Sequence, residues 1–326
     1  MNLASFFSGI GGLDLGFENA GFNIVFANDN WKGCWETYEK NHGTEINHNS
    51  IEDITGEDIK DDVIGFIGGP PCQSWSLAGA MRGINDPRGQ LLYDYVRLID
   101  EVKPKFFLTE NVPGMVSKTH KDEFLKFVKA LKEIGYDINY QVLNAKDYGV
   151  PQDRKRVFII GFKSSAINSK FKFPKPLKHK LTLRDAIGDL PNPKPALEKN
   201  HANNPSDLNF PNHEYMTGDF SSIYMSRNRV RSWDEPSFTI QAGGRQAPCH
   251  PQANKMIKVE KDKRIFDPDT PEPYRRLSVR ECGRIQTFPD NFIFYYNRIA
   301  DGYKMIGNAV PVKLAEALAN EIKKYL

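Results

Sequence analysis

A chain of 326 residues is long enough for one large hydrophobic core and a second, smaller lobe. Hydrophobic residues make up 40% and charged residues 26%, which excludes a disordered or fibrous chain. The net charge of +3 is too small to announce nucleic acid by itself, so any basic surface depends on where the arginines fall. No apolar run approaches the ~20 residues that a membrane span needs. Cys34, Cys72, Cys249 and Cys282 show no CxxC or metal-ligand spacing. Neither a disulfide nor a metal site is expected, and a reducing cytoplasm is. The start, Met1-Asn2-Leu3-Ala4-Ser5, lacks the charged region and apolar core of a signal peptide.

In chain order, residues 3–7 read as a short apolar strand and residues 13–20 as a helix, joined by Ser8-Gly9-Ile10-Gly11-Gly12. Strand, glycine turn and helix form the first unit of a nucleotide-binding α/β fold. The turn could receive a carboxylate in place of a pyrophosphate, or be a tight turn and nothing more. Its spacing departs from GxGxxG, which argues against a dinucleotide. A second strand, residues 23–27, ends in Asn28-Asp29-Asn30. An acid there suits ribose hydroxyls, or it caps the helix that starts near Trp31. Asp53-Ile54 closes the next, weaker segment.

Residues 63–67 form a buried apolar strand that runs into Gly68-Gly69-Pro70-Pro71-Cys72-Gln73. The glycines and prolines stop the strand and stiffen the loop, so the Cys72 thiol is displayed at the carboxyl end of a strand, where α/β sheets bind ligands. Alternatively, Cys72 is a small buried hydrophobe. A turn at Asp86-Pro87-Arg88-Gly89 precedes a helix over 91–102. The strand 106–111 carries Glu110 near its tip, on the edge shared with Cys72 or as an exposed loop carboxylate. Residues 121–134 are helical, with Phe124, Phe127, Val128 and Leu131 on one face. Strands at 140–143 and 157–161 close the sheet. Between them, alternation places Gln152, Arg154 and Arg156 on one side of an extended segment.

From residue 164 to about 270, prolines, asparagines and basic residues are dense and long apolar periodicity is absent. This predicts a smaller, loop-rich lobe. In Ser226-Arg227-Asn228-Arg229-Val230-Arg231, alternation aims the guanidinium forks one way, and Arg245 follows in Gly243-Gly244-Arg245-Gln246. Such forks suit guanine edges and phosphates, or they decorate a solvated strand. Residues 275–288 read as an amphipathic helix, 301–311 as a turn, and 312–325 as a last helix that packs on the first lobe.

Taken together, these stretches resemble the DNA cytosine-C5 methyltransferases, in the family's order and over nearly the whole chain. Phe7-Ser8-Gly9-Ile10-Gly11-Gly12 is similar to the cofactor-loop motif, Gly69-Pro70-Pro71-Cys72-Gln73 to the nucleophile motif, and Glu110-Asn111-Val112 to the acid motif. Gln152-Asp153-Arg154-Lys155-Arg156 resembles the QxRxR motif, and Arg276-Leu277-Ser278-Val279-Arg280-Glu281 precedes a terminal Gly307-Asn308-Ala309-Val310-Pro311. The wording around Arg227 resembles the GGCC-recognising type.

The resemblance implies a Rossmann-like α/β fold with a mixed, mostly parallel sheet that binds S-adenosyl-L-methionine. It implies a catalytic and cofactor-binding domain over 1–163, a target-recognition domain over 164–272, and a segment over 273–326 returning to the catalytic domain. Cys72, Glu110, Arg154 and Arg156 would be catalytic. Phe7, Gly9, Gly11, Gly12, Leu13, Asp29, Asn30, Asp53, Pro70, Asn308 and Val310 would hold the cofactor. Arg227, Arg229 and Arg245 would read the DNA. Two positions depart from the family: Asn30 stands where an aromatic usually follows the acid, with Trp31 one place late, and Ser50-Ile51 competes with Asp53-Ile54 for the adenine contact.

The expected substrate is double-stranded DNA with its cytosine flipped out, since C6 of a stacked base is out of a thiol's reach. The loop from Ser74 to about Arg88, rich in small residues, is expected to close over it. The enzyme is expected to act as a monomer, as the modification half of a restriction-modification system. Its cognate endonuclease would share the site and need not bind the methyltransferase. Rival readings are an RNA cytosine methyltransferase on the same scaffold, a DNA-binding protein that has lost catalysis, and a nicotinamide-dependent oxidoreductase.

Overall fold

In the computed structural model the apolar runs of the first half pair edge to edge into a seven-stranded sheet. The structure describes residues 1–59, 62–71, 87–166 and 170–326, with backbone alone at 87–90. The elements in order are β1 (Asn2–Phe6), α1 (Gly12–Asn19), β2 (Asn23–Asn28), α2 (Lys32–Asn41), β3 (Ile46–Asn47), β4 (Val63–Gly68), α3 (Pro87–Val102), β5 (Phe106–Asn111), α4 (Lys121–Glu133), β6 (Tyr136–Asn144) and β7 (Lys155–Lys163). The strand order is β3-β2-β1-β4-β5-β7-β6, with β7 antiparallel to both its neighbours and the other pairs parallel.

β5 is buried at all six positions, as expected of a central strand covered on both faces, and so it reads as one unbroken apolar run. Phe6, Phe66 and Tyr95 pack ring against ring in the core between sheet and α3. The register places Asn28 beside Phe6, Phe6 beside Gly68, and Gly68 beside Thr109. The residues that follow, Asp29, Phe7, Gly69 and Glu110, therefore emerge in a row along one sheet edge.

The chain divides into two compact units. The first comprises Met1–Asn144, Lys155–Pro176 and Val312–Leu326, and the second Ala145–Arg154 and Leu177–Pro311. These divisions differ from the boundaries expected at 163 and 272. Only the last fifteen residues return to the first unit, where the helix Val312–Ile322 packs on α1 and Lys323 Nζ donates to the Ala20 carbonyl at 2.8 Å.

The second unit holds α5 (Leu183–Ile187), two-stranded ladders of β8 (Lys194–Pro195) with β9 (Glu214–Tyr215) and of β10 (Ile257–Glu260) with β11 (Lys263–Ile265), then α6 (Val279–Ile285) and α7 (Ile299–Asn308). So little regular structure leaves many backbone carbonyls without ladder partners. Buried arginines satisfy a set of them: Arg276 donates to Gly218 and Asp219, Arg280 to Pro211 and Phe292, and Arg154 to Ile240 and Gly307.

Two expected elements differ. The helix over 275–288 shrinks to Val279–Ile285 because Ser278 caps it: its hydroxyl accepts from the Glu281 amide and Glu281 accepts the Ser278 amide. The expected turn at 301–311 is instead mostly α7. Its Gly307 is a contact residue, since a Cβ there would lie 2.3 Å from the Gln241 backbone. Among the described residues no helix is long and apolar enough to cross a membrane.

Candidate active site

Between β1 and α1 the chain passes through three left-handed positions, Phe7 (φ 53°), Gly9 (φ 56°) and Gly11 (φ 76°). The Ser8 amide donates to the Asn28 carbonyl at 3.0 Å, and the Gly11 amide to the Ser8 carbonyl at 2.8 Å. Asp29, at the tip of β2, accepts the Gly9 amide at 2.9 Å on one carboxylate oxygen and the Trp31 amide at 2.8 Å on the other. This carboxylate ties the glycine loop to the start of α2. Among the described residues nothing lies within 4 Å of where a Gly9 side chain would be. Gly12 and Leu13 are buried at the start of α1, and Asn30 is exposed. Asp53 is also exposed, on the turn Ile51–Asp53, whose Ile51 and the following Ile54 are in the core.

Cys72 lies outside the described residues, as does most of the expected closing loop from Ser74 to Arg88. The chain leading to Cys72 is well anchored. Pro70 is buried, and its carbonyl accepts from the Asn111 side chain at 3.2 Å. Glu110, adjacent to that asparagine, is 9% exposed. Arg156 Nε stands 2.9 Å from Glu110 Oε1, but no donor among the described residues is aligned to make a hydrogen bond to that oxygen. The pairing explains the meeting: Glu110 lies opposite Phe158 across the antiparallel β5–β7 ladder, and Arg156, two residues along, points to the same face.

The expectation that Gln152, Arg154 and Arg156 share one side is therefore corrected. β7 begins at Lys155, and the two earlier residues belong to an irregular segment of the second unit. There Gln152 accepts the Ile240 amide and donates to Gln286, while Arg154, 1% exposed, binds the carbonyls of Ile240, Gly307 and Ala309. Asn308, exposed, and Val310, buried, lie in that unit too.

The predicted DNA-reading arginines do not form one parallel set. Arg227 and Arg245 are exposed. Arg229 is half-buried and folded back: Nε donates to the Tyr224 carbonyl at 2.9 Å, Nη2 to the Ile223 carbonyl at 3.2 Å, and the guanidinium lies 4.7 Å over the Tyr224 ring. Arg231 pairs with Glu235 at 2.9 Å. Arg276 lies 4.0 Å over Phe220 while it holds the Gly218 and Asp219 carbonyls, and so braces the segment that precedes Arg227.

The sequence profile of the C-5 cytosine-specific DNA methylases matches residues 1–324. The chain belongs to that family. It is 71% identical over 326 residues to the type II methyltransferase M.MthTI of Methanothermobacter thermautotrophicus, covering 100% of this chain and 98% of that one. It is 53% identical to M.FnuDI of Fusobacterium nucleatum, over 100% and 95%. Among solved structures, a DNA modification methyltransferase encoded within an E. coli prophage superposes with a TM-score of 0.78 at 23% identity, covering 99% of both chains. The Dnmt2 methyltransferase of S. pombe gives 0.66 at 20%, covering 98% and 96%. These likenesses establish the Rossmann-like methyltransferase fold.

This methylase also holds, beneath its glycine loop, a polar network that sequence reasoning missed. Asp14, fully buried in α1, accepts from Ser5 and from Tyr38, each at 2.7 Å. Burial pushes its carboxyl up to about 6, against the lowering pull of His42, Ser5 and Tyr38. The available signal was spacing: Asp14 and Glu18 lie one helical turn apart on α1, as Tyr38 and His42 do at the end of α2.

Proposed function

We propose that this DNA cytosine-C5 methyltransferase is the modification enzyme of a type II restriction-modification system. It would act in the cytoplasm as a monomer on double-stranded DNA, at a GGCC-type site shared with a cognate endonuclease. The full-length likeness to enzymes named type II methyltransferases supports this reading. The observation that carries the chemistry is Glu110: a nearly buried carboxylate beside Arg156, with one oxygen that no donor among the described residues is aligned to reach, on the strand next to the one that leads to Cys72.

In this reading the thiolate of Cys72 gives an electron pair to C6 of a flipped cytosine, and the C5–C6 π pair becomes available at C5. Glu110 holds or protonates N3, and Arg156 binds O2, so both draw charge away from C6. Methyl transfer to C5 is what S-adenosyl-L-methionine supplies when bound. A base then takes the C5 proton, the C5–C6 double bond re-forms, and the sulfur leaves as thiolate. Arg154 braces the loop before Arg156.

The left-handed glycine loop, with no described residue near the Gly9 side-chain position, fits the cofactor, and the carboxylate of Asp29 that holds this loop suits a ribose. Phe7, Gly9, Gly11, Gly12, Leu13, Asp29, Asn30, Asp53, Pro70, Asn308 and Val310 would hold it. Arg227 and Arg245 stand ready for base edges, whereas Arg229 must turn away from Tyr224 to read one. Each good bidentate pair contributes ~1–3 kcal/mol of discrimination.

Bisulfite sequencing of plasmid DNA from expressing cells tests both chemistry and site. Cytosines converted to the protected form only within one short sequence are expected. Cys72→Ser should abolish protection, and Glu110→Gln should lower kcat by about 10²–10⁴-fold. Methylation of labelled tRNA in preference to DNA would overturn the assignment.

A further inference from the structure

His42, at the carboxyl end of α2, is buried under the glycine loop, and both of its ring nitrogens face acceptors. Nε2 lies 3.2 Å from the Ile10 carbonyl and Nδ1 3.1 Å from the Glu18 carboxylate. A carbonyl and a carboxylate can only accept, and a neutral imidazole carries only one N–H. Both contacts are hydrogen bonds only when the ring is a cation. The ring stacks on Tyr38 at 4.4 Å, and Tyr38 in turn donates to Asp14. Gly11 leaves room for it: a Cβ there would lie 2.1 Å from Nε2.

Asp14 is tied through Ser5 to the Ser8 hydroxyl, which donates to Ser5 at 2.9 Å, so both ends of the loop rest on one network. Among the described residues, the charged and titratable groups that act on His42 include Glu18 and Asp14 from α1, and Tyr38 of its own helix stacks on it.

We propose that His42 is a positioning residue for the methyl-donor loop: its imidazolium clamps the Ile10 carbonyl against α1 and holds Gly9–Gly12 in the shape that receives the cofactor. Burial works against the charged ring, but the Glu18 hydrogen bond, the Asp14 and Glu18 charges and the Ile10 carbonyl outweigh it, so its pKa lies above the ordinary imidazole value. Loss of the proton at higher pH forces the ring to release either Ile10 or Glu18. Cofactor affinity then falls on the alkaline side, while the chemistry at Cys72 is untouched. The inference rests on this loop being the S-adenosylmethionine site.

Two measurements on the full chain test it. Amide hydrogen exchange of the cofactor-free protein reads the loop directly, and calorimetric titration with S-adenosylmethionine reads affinity against pH. His42→Gln should speed exchange at Gly9 and Gly11 and raise Kd, each by about tenfold or more, with kcat at saturating cofactor within about twofold of the parent. Glu18→Gln keeps the Ile10 contact but offers an amide N–H as well as an oxygen, so a neutral ring can hold both partners and the alkaline rise in Kd should shrink or vanish.

Unchanged exchange and Kd in His42→Gln, or an undiminished alkaline rise in Glu18→Gln, would overturn the clamp. If His42→Gln does not fold, the Glu18→Gln limb decides. A parent protein that binds no S-adenosylmethionine overturns the cofactor reading instead, and hydrogen exchange still judges the clamp.

Discussion

Each unit buries a histidine beside a carboxylate, and the two histidines are driven in opposite directions. In the first unit His42 faces the Ile10 carbonyl and Glu18, and its pKa rises. In the second, His250 Nε2 lies 3.5 Å from Glu281, yet burial lowers its pKa to about 4. The difference is Arg275, which already pairs with both oxygens of Glu281 at 2.8 Å. The guanidinium satisfies the buried carboxylate and repels a second cation. Correspondingly, His250 Nδ1 accepts the Gln252 amide, which requires a nitrogen without a proton. His213 follows the same pattern, its pKa lowered by burial. Proximity to a carboxylate therefore does not by itself charge a histidine; what matters is whether that carboxylate already has an arginine.

The largest effect should come from removing that arginine. Arg275→Leu strands Glu281, 1% exposed, without its guanidinium, and should cost about 3–5 kcal/mol in denaturant unfolding. His250 should then become the carboxylate's cation, and its NMR titration should move up from about 4. A His250 that stayed at that value would break the comparison.

Next in size is an acid limb. His250 is depressed from 6.5 to about 4, so its contribution is present above 6.5 and lost as pH falls through about 4. At ~1.4 kcal/mol per unit the loss is about 3 kcal/mol, and His250→Gln should flatten the stability profile across that window.

Asp14 has the opposite sign: its folded pKa is raised from 3.8 to about 6, so its protonation favours the fold and stability declines as pH rises through about 6. The smallest change follows from this. Tyr38→Phe removes one donor to the Asp14 carboxylate and should cost about 1–2 kcal/mol at pH 8 and less at pH 5, where the acid is neutral. Equal cost at both values would mean that Asp14 does not change its charge between pH 5 and pH 8.

The same contrast separates what was legible in the sequence from what was not. β5 and α4 could be read directly, the first as an unbroken apolar run and the second as a one-sided stripe of Phe124, Phe127, Val128 and Leu131. The edge that carries Glu110 followed from that reading. The Glu110–Arg156 meeting needed the ladder register, which no local pattern contains. The stretch 301–311 was read as a turn, yet most of it is helix, and its Gly307 serves close packing. In the second unit, arginines replace strands as partners for backbone carbonyls. The alternation rule, which holds only for extended chain, could not foresee that Arg229 folds onto Tyr224. The pairs Asp14/Glu18 and Tyr38/His42 were visible one helix at a time, but nothing in the spacing says that the two helices face each other.

Because β2, β1, β4 and β5 end in register, the sheet edge works as a ruler. Each interstrand step is ~4.8 Å, so the three steps from Asp29 to Glu110 set a span of about 14 Å. That is the reach of a long, flat small molecule laid across the strand ends. An insertion of one residue within β4 would slide Gly69 and Pro70 by ~3.3 Å and turn their faces, while leaving the marks on either side unmoved.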